Sequence, residues 1–376
     1  MNIKKYRLEY SDKDIEFAKK EVEAALKLGY LTDGGPKVKE FEDKWANFNG
    51  SKHAIAVSNC TTGLECILRA INVKDKSVIV PAYTFIASPM AIYNTGGIPA
   101  YADINRQTMS LSLESIKKAR RIDTKAVMIV HVGGIVSDEI RKIRKYCDDN
   151  NLFLIEDAAC AHGSSFDDIK AGNFGHASCF SFHHSKVLTS GEGGIITTED
   201  DKLAAKIRRI RAIGLDRSIN NYQSFEIGSN SKMSELTAIF AILHTDKAKD
   251  IISERQKIAN RYDNEINFSN KIKRYKIPSN TTSCYYKYYV WVSNSKVRKS
   301  FNDYAKNRGI ELPPITYFKL CSDQPISKKM NCVIKYPLRV SRYMTEHHLC
   351  LPMYNGLKEK EIDYIIKVLN DFIEVQ

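Results

Sequence analysis

The sequence predicts an α/β fold: a mainly parallel sheet covered by helices on both faces, followed by a smaller α+β domain. Three observations carry this reading. Between residues 54 and 198, short apolar runs of strand length alternate with helical segments. Those runs show little polar alternation, as expected of strands buried on both faces. After Leu236 the alternation gives way to long charged helices and separated strands, which places a boundary near residue 246. Domains of 1–245 and 246–376 follow, a division suited to a chain of 376 residues.

Ser11 is positioned to cap a helix over Asp12–Leu28, where Ile15, Ala18, Val22, Ala25 and Leu26 recur at helical spacing. LTDGGPK (31–37) breaks it before a second helix, Val38–Phe48. The predicted strands are AIAV (54–57), SVIVPA (77–82), AVMIVHV (126–132), LFLIED (152–157), SCFSF (178–182) and GGIITT (193–198). Helices are expected at Thr62–Ala70, Ile86–Asn94, Leu113–Arg120, Asp138–Cys147 and Asp201–Ile213. Downstream, ISERQKIANRYDNEI (251–265) reads as a helix and YYKYYVWVSNS as a strand. KSFNDYAKNRGI reads as a helix stopped by Gly309, and EKEIDYIIKVLNDFI as a closing amphipathic helix. No internal repeat is present.

Hydrophobic residues at 43% and aromatics at 10%, with 19 Gly and 10 Pro, exclude disordered, collagenous and low-complexity classes. Apolar stretches such as Leu236–Leu243 fall short of the roughly 20 residues a membrane span needs. The start, MNIKKYRLEYSDKD, has no apolar signal core, so a cytoplasmic protein is expected. Nine cysteines without paired spacing read as reduced, mostly buried thiols. The formal charge of +13 is spread along the chain, and its densest cluster, Lys271–Lys276, lacks a nucleic-acid motif and reads as a solvated face. His183 and His184 are adjacent, so in extended chain they point to opposite faces and suit no single ion. No metal site is expected. Neither GxGxxG nor GxxxxGK[ST] is present, which leaves dinucleotide and P-loop sites unsupported.

In a parallel sheet, ligands gather at the carboxyl ends of the strands. AIAV is followed by SNCTTGLECIL, where Thr61 and Thr62 either cap a helix or offer its free N–H groups to a phosphate. LFLIED delivers Asp157 into the small-residue loop AACAHGS, either as a cap or as partner to a cationic ligand nitrogen. SCFSF leads into HHSK, setting Lys186 just past a strand end, five residues after Ser181 and before the turn TSGEGG. A lysine in such a setting forms Schiff bases with aldehydes and carries protons. A phosphate cradle, an acid and a lysine are together the set that pyridoxal 5′-phosphate requires.

The blocks SNCTTGL (58–64), PAYTFIAS (81–88), LIEDAACAHGS (154–164), SFHHSKVLTSGEGG (181–194) and GSNSKMSEL (228–236) resemble the sugar aminotransferases of the DegT/DnrJ/EryC1/StrS group. The similarity runs from residue 31 to residue 357. It implies the fold-type I architecture of pyridoxal-phosphate enzymes. Lys186 would condense with the cofactor aldehyde and Asp157 would pair with the pyridinium nitrogen. Thr61, Thr62 and Ser181 would hold the phosphate, and Phe85 would stack on the ring. Cys160 stands where many members have Gln against the ring hydroxyl, and His183 and Tyr317 fall among the substrate-binding positions. Asn230 would reach the phosphate of a neighbouring subunit, which implies a homodimer with shared sites. Lys232 replaces the usual Arg, and PPITYFKL (313–320) replaces the common His-Tyr-Pro segment.

The activity implied is transfer of an amino group from L-glutamate to a nucleotide-diphosphate-linked keto-deoxysugar, for amino sugars of surface glycans such as O-antigen. Members that act as dehydratases carry His where this chain has Lys186, so transamination is favoured. Two rival readings are an aminotransferase of a keto-cyclitol or an aromatic amino precursor, and a non-catalytic regulator that kept the fold. Neither a specific nucleic acid nor a membrane partner is expected.

Overall fold

The computed structural model describes residues 1–32, 35–216 and 223–375. Residues 33 and 34 of the LTDGGPK break lie outside that set. Ser11 caps α1 (Asp12–Leu28) as expected, with reciprocal bonds between its side chain and Asp14. The helix α2 (Pro36–Asn49) follows, with its proline in the first turn where no N–H is needed. Then come β1 (His53–Val57), α3 (Cys60–Ala70), β2 (Ser77–Pro81), α4 (Ala87–Asn94), β3 (Ile98–Ala102), α5 (Leu113–Ala119), β4 (Thr124–Val130), α6 (Ile140–Asp149) and β5 (Phe153–Asp157). A short hairpin, β6 (Ser165–Phe166) and β7 (Ile169–Lys170), precedes β8 (Ala177–Ser181), β9 (Gly194–Thr198) and α7 (Asp201–Ile210). The remainder runs α8 (Glu235–Asp246), α9 (Ala248–Glu265), β10 (Ile272–Arg274), β11 (Thr281–Thr282), β12 (Tyr288–Val292), α10 (Ser295–Lys306), β13 (Val333–Ile334), α11 (Arg339–Glu346), β14 (His348–Leu351) and α12 (Glu359–Glu374).

Eight strands form the main sheet in the order β1-β9-β8-β5-β4-β2-β3-β13. Only β9 runs antiparallel to its neighbours, so the carboxyl ends of β1, β8, β5, β4, β2 and β3 share one edge. Within each strand, alternate residues enter two different cores. Ile55, Val80, Met128 and Ile155 pack on one face, and Ala56, Ile79, Ile129 and Leu154 on the other. Burial on both faces is the reason these strands lack polar alternation in the sequence. A third core gathers Ile258, Val290, Phe301, Leu349 and Leu369 from the C-terminal segment, together with Ile3 from the chain start. Its sheet is β10-β12-β14.

Three expectations are corrected. The sequence reading contains no strand at Ile98–Ala102, which the structure adds as β3. Pro99 is tolerated because β13 pairs only with Ala100 and Tyr101, so the missing N–H breaks no bond on that side. The helix expected from Thr62 starts at Cys60, since Asn59 rather than a threonine is its cap. The helix expected to reach Ile213 ends at Ile210, and Ile213 has a left-handed backbone with φ 64°. All nine cysteines are free, eight of them buried. Among the described residues, no helix is long and apolar enough to cross a membrane.

Candidate active site

The site forms at the shared carboxyl edge of the sheet. After β1 the chain turns into α3 through Ser58 and Asn59. The Asn59 side chain accepts from the Thr62 N–H at 2.9 Å and its carbonyl accepts from that of Gly63 at 3.1 Å. The Cys60 and Thr61 N–H groups are therefore left without an intrahelical acceptor, at the positive end of the helix. The Thr62 hydroxyl donates to the Asn59 carbonyl at 3.0 Å, and the Ser58 hydroxyl lies 3.0 Å from it. Ser181, at the end of β8, is buried, and its hydroxyl accepts from the His183 N–H at 3.3 Å. Gly194 closes the cradle from β9. A Cβ there would stand 2.6 Å from the Asn59 carbonyl carbon and 2.7 Å from the Cys60 nitrogen, so only glycine lets these backbones meet.

Asp157 ends β5 with its backbone held on both sides. Its carbonyl accepts from the His131 N–H at 3.1 Å, and the next N–H, of Ala158, donates to Cys179 at 2.9 Å. Its carboxylate is buried and accepts from the Ser88 hydroxyl at 2.7 Å and from the Ala159 N–H at 3.2 Å. The preceding residue, Glu156, is fully buried on the opposite face. It accepts from His131 Nε2 and from the N–H groups of Gly172 and Phe174, each at 2.8 Å, and from that of Gly175 at 2.5 Å. Burial alone would raise the Glu156 pKa, but these donors hold it below the usual carboxylate value.

Lys186 lies beyond β8, and its Nζ donates to Cys160 Sγ at 3.3 Å and sits 4.8 Å from the centre of the Tyr286 ring. Desolvation favours its neutral amine, yet Cys160, Tyr286 and Asp157 outweigh that and hold the Lys186 pKa above the usual lysine value. Burial raises the pKa of the Tyr317 phenol, and Cys160, Asp157 and Tyr286 act in the same direction. Direct contacts join Lys186 to Cys160 and to the Tyr286 ring. The Tyr317 ring meets Tyr83 edge-on at 5.0 Å. A cavity of about 510 Å³ opens beside Lys186, between Tyr6–Ser11 and the residues around Arg255, and gives the amine access to a ligand.

The remaining expected residues stand further out. Phe85, in the turn before α4, is 63% exposed. The Nδ1 of His183 lies 2.9 Å from the Ser185 hydroxyl, and its Nε2 lies 3.8 Å from Glu192. Desolvation and the neighbouring His184 lower the His183 pKa. Asn230 is exposed and accepts from Lys232, beside Ser231, whose carbonyl takes the Ser58 N–H at 2.8 Å. Asn230 and Lys186 have different side-chain partners, Lys232 and Cys160 respectively. Sequence reasoning missed Ser88, Tyr286 and Asn59. Ser88 and Asn59 lie inside quoted blocks without a role, and Tyr286 sits in a run read only as a strand.

A lysine able to condense with an aldehyde, a buried carboxylate and a helix N-terminus with free N–H groups form a donor set that suits pyridoxal 5′-phosphate. Fold and donor set together define an aminotransferase-like α/β enzyme. The chain matches the model of the DegT/DnrJ/EryC1/StrS aminotransferase family over residues 12–370 and belongs to that family. It is an aminotransferase, and pyridoxal 5′-phosphate is its cofactor. It is 29% identical to the GDP-perosamine synthase of Escherichia coli O157:H7 over 94% of this chain and 95% of that one. It is 34% identical to the UDP-2-acetamido-2-deoxy-3-oxo-D-glucuronate aminotransferase of Pseudomonas aeruginosa over 61% of this chain and 63% of that one. The crystal structure of DesI with its TDP-sugar product superposes with a TM-score of 0.86 at 27% identity, over 94% of this chain and 89% of that one.

Proposed function

We propose that this aminotransferase moves the amino group of L-glutamate onto a nucleotide-diphosphate-linked keto-deoxysugar and works as a cytoplasmic homodimer. The observation that carries the proposal is the contact of Lys186, which lines a cavity, with Cys160, at the sheet edge that also holds Asp157 and a helix N-terminus. Named relatives act on GDP- and UDP-linked sugars, and a solved relative holds a TDP-sugar, which supports a nucleotide sugar as acceptor. A perosamine synthase among the relatives also supports a place in O-antigen formation.

The cofactor, when bound, supplies an electron sink and a carbon that carries nitrogen between donor and acceptor. The chain's own groups do the rest. The N–H groups of Cys60 and Thr61, with Thr62 and Ser181, hold the phosphate. Asp157 keeps the proton on the ring nitrogen. The Lys186 amine would hold the cofactor and, when free, would carry a proton to or from the donor α-carbon. Phe85 would cover the ring, Cys160 would meet its hydroxyl, and His183 and Tyr317 would bind the sugar. Asn230 serves the phosphate in the partner's site.

The test is purified enzyme with L-glutamate and either a panel of nucleotide keto-sugars or scyllo-inosose, with mass spectrometry of the products. Amination confined to nucleotide sugars is expected. Amination of scyllo-inosose alone identifies a cyclitol aminotransferase, and a cofactor-loaded protein that aminates neither is a regulator.

A further inference from the structure

Asp157 must do more than lie near the ring nitrogen. To hold a proton on that nitrogen its carboxylate has to point one way inside a buried site. Each Asp157 oxygen accepts one bond from the protein, Oδ1 from the Ala159 N–H and Oδ2 from Ser88, which leaves a lone pair on each for a ligand. The bond from Ser88 is the shorter, at 2.7 Å against 3.2 Å. Ser88 is 1% exposed, in the first turn of α4, and its Oγ lies 3.1 Å from the hydroxyl of Thr84, itself 2% exposed. A hydroxyl has one proton to donate, and Ser88 gives its own to the carboxylate, so the Thr84 hydroxyl is the donor in the second contact. The Thr84 carbonyl in turn accepts from Cys321 Sγ at 3.0 Å, which fixes the start of this chain of bonds.

We infer that Ser88, supported by Thr84, is a positioning residue for the amino transfer, fixing the orientation in which the Asp157 carboxylate would meet the ring nitrogen. The inference rests on the cofactor reading proposed above. Without the hydroxyl, the Asp157 carboxylate keeps only the longer bond from the Ala159 N–H and is free to rotate, so its hold on the ring nitrogen's proton would weaken. A ring nitrogen that lost its charge would remove a nearby cation from the linkage that Lys186 would make with the cofactor, and that linkage would be easier to protonate.

Spectrophotometric pH titration of the cofactor-loaded protein reads this directly. In Ser88→Ala the midpoint at which the visible band changes should rise by about one unit. Cofactor affinity and kcat should each fall about tenfold, the weight of one hydrogen bond to a charged group. Ser88→Thr should restore the wild-type midpoint, since it keeps the hydroxyl. If Ser88→Ala lowers the folded yield, Thr84→Val takes its place, and a midpoint raised by a smaller amount is expected. A Ser88→Ala protein that folds, titrates at the wild-type midpoint and turns over at the wild-type rate overturns the inference. An unchanged midpoint in Thr84→Val does the same. Wild-type protein with no visible band refutes the cofactor reading instead, so the two failures are distinguishable.

Discussion

Replacing Gly194 by alanine adds one methyl group at the place where β9 passes under the start of α3. That methyl would stand 2.6 Å from the Asn59 carbonyl carbon and 2.7 Å from the Cys60 nitrogen. Ordinary contact between such atoms is about 3.5 Å, so either the helix start or the strand must move by roughly 1 Å. Both neighbours are backbone and neither can swing aside. Gly194 is also tied in register to Val57 on one side and Ser181 on the other, so the helix start is the more movable part. Overpacking of this kind costs about 1–3 kcal/mol. Part of that appears as lost stability, and the rest as misaligned N–H groups at Cys60 and Thr61. With tenfold in affinity per about 1.4 kcal/mol, cofactor affinity should fall by about 10- to 100-fold. The assay is titration of cofactor-free protein with pyridoxal 5′-phosphate by fluorescence, beside a urea unfolding curve. A Gly194→Ala protein with wild-type affinity and midpoint would refute the argument that this helix start is the phosphate cradle.

Three further outcomes are expected. Glu156→Gln turns an amide N–H₂ toward backbone N–H donors and should cost about 3–5 kcal/mol, the scale for breaking a buried ionic cluster, read as a lower urea midpoint. Burial pushes the His162 pKa down to about 3 and that of His348 to about 3, so between these values and about 6.5 the unfolded chain binds the extra protons. Stability should therefore fall as pH drops below about 6.5, by about 2 kcal/mol for each histidine at pH 5; His244, lowered to about 4 by burial, adds a similar share, and His162→Leu should remove roughly a third of that pH dependence. Asp157→Asn should fold and bind cofactor but lose at least about a hundredfold in kcat, since the neutral amide cannot hold the ring proton.

Lys186 and Asp157 were legible because a parallel sheet exposes the residues that follow its strands, and both follow strands that read plainly in the sequence. Asn59 was not, since Asn, Thr and Ser all cap helices and four such residues, Ser58, Asn59, Thr61 and Thr62, stand together at 58–62. The bond between Ser88 and Asp157 joins residues 69 apart, and no local pattern encodes a contact that only the sheet order creates. Tyr286 was read as strand because its neighbours are aromatic. Lys186 meets its ring only after the C-terminal segment folds back over the edge of the main sheet. The strand at Ile98–Ala102 escaped because a proline is excluded from sheets only where its nitrogen faces a partner, and that depends on how far β13 extends.

The central claim is that the amine of Lys186 joins covalently to the cofactor. Borohydride treatment of the loaded enzyme, followed by peptide mass mapping, tests it most directly. The account predicts bleaching of the visible band and a pyridoxyl adduct on the peptide that contains Lys186, both missing in Lys186→Ala. An adduct on a different lysine, or none with the band intact, would contradict it.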